Sequence, residues 1–121
     1  MNSKRQEKGT PRKPGPRLSK ERLAELVEEA TVDAHDESEQ AMGFYTMLEN
    51  DLHLPFETEI LGATVTVESI DIAGDDDQLV AVCRKGKARQ RISLEDLPLP
   101  ATLPKGAEWI LAYRHWRTGA M

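Results

Sequence analysis

The apolar positions of this chain keep helical spacing at first, change to alternation near residue 56, and return to helical spacing at the end. Leu23, Leu26, Val27 and Ala30 share one helix face, with Glu21, Glu25, Glu28 and Glu29 on the wet side. Ser19 supplies an N-cap, Glu21 complements the helix dipole, and Leu18 precedes Leu23 at the spacing of a hydrophobic staple, so a helix is expected to about Ala30. A second helix is predicted from Asp36, which has capping-box spacing to Glu39. Ala41, Phe44, Tyr45, Leu48 and Leu52 form its stripe, and Pro55 stops it.

From Phe56 the period becomes two, with β-branched residues in Glu57–Ile60 and again in Thr64–Val67 on either side of Gly62. The alternation slips between Val67 and Ile70, as at a bulge. Gly74 to Asp77 reads as a turn, Leu79 to Cys83 as a third strand, Lys85-Gly86 as a tight connection and Ala88 to Ile92 as a fourth strand. Four or five short strands in succession predict a small barrel. Ser93 to Leu97 reads as a single helical turn, and Pro98, Pro100 and Pro104 as an extended crossing. A last helix over about Ala107 to Trp116 sets Trp109, Tyr113 and Trp116 on one face, where they are expected to close the core.

Composition narrows the class. With 121 residues and 39% apolar content the chain suits one domain with one core. It has no stretch of about eighteen apolar residues and no apolar region behind its charged start, so neither a membrane span nor a signal peptide is expected, and the expected location is cytoplasmic. The one cysteine, Cys83, lies in an apolar run and reads as a core thiol in a reducing compartment.

The net charge of −5 conceals a division: residues 1–20 hold seven basic groups and one acid, whereas the rest holds nine basic and twenty acidic groups, net −11. Residues 1–17, rich in Lys, Arg, Pro and Gly, are expected to form a disordered basic tail, and residues 18–121 a single acidic domain. Such a domain attracts cations and repels nucleic acid, so a nucleic-acid role belongs to the tail, as an arm for phosphates. The favoured reading of the tail is the plainer one, a solubilising extension or one that folds back electrostatically on the acidic domain.

Candidate chemistry follows from the charge. No phosphate loop, G-x-G-x-x-G, G-x-S-x-G or H-E-x-x-H occurs, and His35, His53 and His115 lack zinc-site spacing to Cys83, so the chain is not expected to be an enzyme. What remains are carboxylates, the ligands of hard divalent cations. They cluster as Asp33, Asp36, Glu37 and Glu39 between the helices, as Glu49 and Asp51 followed by Glu57 and Glu59, and as Asp71 with Asp75, Asp76 and Asp77. None has EF-hand spacing. By spacing alone, such runs are more often solvated faces than ligand sets.

Val32-Asp33-Ala34-His35-Asp36-Glu37-Ser38-Glu39-Gln40-Ala41-Met42-Gly43-Phe44-Tyr45, continuing through Leu48-Glu49-Asn50-Asp51 to Leu54-Pro55-Phe56, resembles the signature of the CcbP-type calcium-binding family. That signature reads D-A, a short acidic stretch, E-Q-x-x-G-W-Y, L-E-D, then P-F. Phe44 stands where the pattern has tryptophan, Thr46 and Met47 replace aromatics, and the basic tail is an addition. The resemblance, over roughly residues 20–117, implies a non-EF-hand calcium binder, a cytosolic buffer or sensor, with an α+β fold of helices on a small SH3-like barrel. It carries ligand roles to Asp33, Glu39 and Glu49, and more loosely to Asp36 and Glu37; Asp75, Asp76 and Asp77 are candidates for a second site. The alternative function is an adaptor or nucleic-acid-associated module that uses the barrel as a peptide-binding surface and the tail as an anchor.

Overall fold

In the computed structural model, which describes residues 18–74 and 77–119, the elements run α1 (Lys20–Thr31), α2 (Glu37–Asp51), β1 (Phe56–Ile60), β2 (Ala63–Ala73), β3 (Gln78–Lys85), β4 (Ala88–Ser93) and α3 (Glu108–Thr118). The expected basic tail lies outside the described residues.

The helix starts follow from local chemistry. Ser19 Oγ accepts the Arg22 N–H at 3.0 Å, and Leu18 and Leu23 line one depression together with Leu111 of α3. Asp36 caps α2 by accepting the Glu39 N–H at 2.9 Å. The Glu39 carboxylate reaches back to the His35 N–H at 2.6 Å, one residue beyond a standard capping box. α1 buries Leu26 and Ala30, and α2 buries Ala41, Phe44 and Leu48. The two helices cross at Gly43, where an added Cβ would lie 2.0 Å from the Ala30 carbonyl oxygen. Only glycine permits that approach.

The strands form one antiparallel sheet in the order β1-β2-β3-β4. The bulge falls at Glu68, between the paired residues Val67 and Ser69. Cross-strand partners share a face, so Val67 with Cys83, Ile70 with Ala81 and Ile72 with Leu79 make the inner side. Glu57, Glu59, Asp71, Arg84, Arg89 and Arg91 occupy the outer side by the same registers. Cys83 is buried as expected, and burial pushes its thiol pKa up.

The expectation of a closed SH3-like barrel is not met: among the described residues β1 and β4 are the open edges of a four-stranded sheet. Helices take over the inner face where a closing strand would lie. The Leu94 N–H still donates to the Leu79 carbonyl at 3.0 Å, but the Leu94 carbonyl accepts from Arg114 Nε at 2.9 Å, and the Leu79 N–H goes to the Tyr113 hydroxyl at 3.0 Å. α3 thus ends the β4 ladder with two side chains. Residues 93–97 form a hydrogen-bonded turn, Asp96 N–H to Ser93 O at 2.9 Å, rather than a helical turn. Arg114 also binds the Leu97 carbonyl, which clamps that turn on α3 with Leu94 and Leu97 fully buried.

The aromatic face of α3 closes the core as expected. Trp109 and Tyr113 are buried, and the rings of Phe44, Tyr113 and Trp116 lie 5.3–5.9 Å apart in tilted or edge-on pairs. The indole N–H groups find polar partners at the rim, Trp109 on Asp51 at 2.9 Å and Trp116 on Gln40 at 2.7 Å.

Candidate functional site

The α1–α2 connection is short, so the end of one helix and the start of the next bring acidic residues from both onto one side. Glu29 and Asp33 from α1 and its exit, with Ser38, Glu39 and Thr46 from α2, line a shallow depression of about 490 Å³. Its floor includes Ala30 and Gly43, the point of closest helix approach. Asp36 and Glu39 are already engaged as caps, each through one oxygen, Oδ1 and Oε1, so that the second oxygen of each carries no described bond. Glu37 stands exposed in the first turn of α2, where its charge also suits the helix dipole.

The other expected clusters come apart. Asp51 is bound to the Trp109 indole, while Glu57 and Glu59 project from the outer side of edge strand β1 toward Pro98 and Pro100, lining a different hollow. Glu49 instead comes beside Tyr45, which Asp71 also neighbours. Burial, then the adjoining Glu49 carboxylate, then the Asp71 charge raise the Tyr45 pKa above its usual value. Asp71 is itself tied to Arg91 and to the Ile72 N–H. Asp77 holds a positive φ of 54° in the β2–β3 turn, and Asp75 and Asp76 lie outside the described residues.

Among the described residues no three of Asp, Glu, His and Cys form a ready-made metal cage. The donors at the helix junction fit calcium in kind, being hard carboxylate and hydroxyl oxygens, and they fit it better than zinc, which prefers nitrogen and sulfur. Glu29 escaped the reading of the sequence as a ligand candidate. The signal was its place four residues before Asp33, which puts both on one side of the helix exit.

Compared with known proteins, residues 24–117 match the model of the CcbP family, whose description is "Calcium binding". No curated protein matches the chain in sequence. Among solved structures it is similar to that described as "The crystal structure of Anabaena CcbP", with a TM-score of 0.67, 22% identity, and coverage of 86% of this chain and 95% of that one. At that identity the likeness concerns the fold.

Proposed function

This chain belongs to the CcbP-type calcium-binding family, and from that premise we propose that it binds calcium at the α1–α2 junction, as a low-affinity buffer or sensor of the cytosol rather than as an enzyme. Asp33 and Glu39 are the first ligands, with Asp36 and Glu37 completing the set, and Glu29 is added because it lines the same depression. Glu49 is kept as a further ligand candidate, and Asp75, Asp76 and Asp77 as candidates for a second site.

The observation that carries this reading is a charge imbalance at the junction: Glu29, Asp33 and Glu37 have no ion pair among the described residues. Like charges held together by a helix crossing repel one another, and a divalent cation relieves that repulsion. Because the cage is not ready-made, the ion must gather carboxylates, carbonyls and waters, which sets the dissociation constant on the order of 10⁻⁵ to 10⁻³ M.

Calorimetric titration of the full chain with calcium and then magnesium tests it. A saturable calcium signal that magnesium reproduces only weakly is expected, and a flat calcium titration at millimolar concentration overturns the reading.

A further inference from the structure

The basic groups of the acidic domain are concentrated on one hairpin: five of the nine after residue 20, Arg84, Lys85, Lys87, Arg89 and Arg91, fall within eight residues that contain no acid. Among the described residues two carboxylates answer them, Glu68 between Arg84 and Arg89, and Asp71 on Arg91. Glu68 separates two arginines that stand directly opposite each other across β3 and β4. The hairpin keeps an excess of positive charge.

That hairpin is also an open edge. β4 pairs with β3 alone, and no backbone bond joins residues 88–92 to any other segment among the described residues. Beside it, the inner face beyond the reach of the helices forms a hollow of about 280 Å³ floored by Ile60, Ala63, Val65, Cys83 and Ile92. At the same end of the sheet, the two-residue turn Leu61-Gly62 places Leu61 fully exposed with φ 51°. Asparagine or glycine suits such a turn, and leucine there puts an apolar side chain in water at the cost of a left-handed backbone.

We propose that the β4 edge is a docking site for an extended segment of another protein in which acidic residues alternate with apolar ones. Added as a fifth strand, such a segment uses the open backbone groups of β4 for its own ladder. Period two then sorts its side chains: those beside Arg89 and Arg91 face the outer side and are acidic, whereas those beside Gln90 and Ile92 face the hollow and are apolar. A second copy of this chain is a poor occupant, since edge-to-edge pairing of β4 with itself sets arginine against arginine. The proposal concerns a different surface from the calcium locus and does not depend on it.

Fluorescence polarisation of the full chain in EDTA, with a fluorescein-labelled ten-residue peptide of alternating glutamate and valine, tests it. Binding at least tenfold tighter than that of a peptide with the same residues in two blocks is expected, and Arg89→Glu with Arg91→Glu should weaken it at least tenfold. Amide shift changes on binding are expected in the strand and hollow residues 60–65 and 83–92. Equal binding of both peptides, shift changes confined to α1 and α2, or a chain that self-associates through β4 would overturn the proposal.

Discussion

On the outer side of the sheet Glu68 receives Arg84 and Arg89, and Asp71 receives Arg91, whereas along α1 and its junction with α2 Glu21, Glu28, Glu29, Asp33 and Glu37 have no ion pair among the described residues. The same side-chain chemistry thus serves two ends. Where β strands set cations opposite carboxylates, the acids are neutralised within the chain and offer little to an external ion. Where two helices set acids side by side, charge is left for a ligand to neutralise. The difference lies in the partners, since both sets are solvent-accessible and exposed ion pairs add little to stability.

The comparison breaks most severely if the helix crossing is forced apart. Gly43→Val sets a side chain against the Ala30 backbone, which cannot rotate away, and should cost about 3 kcal/mol, the upper part of the usual range for overpacking. Thermal melting is the check: a fall of roughly 4–8 °C per kcal/mol is expected, with weaker calcium binding as Asp33 and Glu39 separate. An unchanged melting temperature would mean that the helices do not cross there.

Calcium should act on the unpaired region and leave the paired one alone. At about a hundred times its dissociation constant, a ligand of the native state adds ~2.7 kcal/mol. Calcium should therefore raise the melting temperature by more than sodium chloride does at equal ionic strength. Equal shifts would reduce the effect to screening.

Removing single charges sharpens the contrast. Asp33→Asn should lower calcium affinity several-fold in a calorimetric titration, while Glu68→Gln should leave it unchanged. Asp36→Asn keeps a good N-cap, so metal-free stability should move by no more than about a few tenths of a kcal/mol to ~1, and any larger loss of calcium affinity marks Asp36 as a ligand. Unchanged titrations for both Asp33→Asn and Asp36→Asn would move the site to another acidic cluster.

The smallest effect is expected in acid. Arg89 first, then Arg84, hold the Glu68 carboxyl below its ordinary 4.5. A depressed folded pKa means that this contribution is full above the ordinary value and is lost as pH falls through the folded one. Glu68→Gln should flatten the acid limb of the melting temperature below that point, and the flattening should shrink in high salt. An acid limb identical in the two proteins would leave the Glu68 cluster without energetic consequence.

Much of this was legible along the chain because it is local. Ser19 and Asp36 cap their helices at the residues that spacing picked out, since a cap bonds an N–H only three positions away. The slip of alternation near Glu68 became a bulge, and the aromatic stripe of the last helix became the lid of the core, because each follows from side-chain direction within one element. The family resemblance read from Asp33 to Phe56 was borne out by the match over residues 24–117.

What spacing did not decide was which carboxylates meet. Glu49 and Asp51 are two residues apart, yet one turns to Tyr45 and the other to the Trp109 indole, while Glu57 and Glu59 face away on an edge strand. Nor did four alternating segments reveal that the sheet stays open, because its end depends on Tyr113 and Arg114 reaching Leu79 and Leu94 from a helix that follows much later in the chain. Periodicity determines which face of an element is dry, since that depends on neighbours within a turn or a strand. Which charges are paired and which are left for an ion depends on register and packing between elements, and only the tertiary structure brings those residues together.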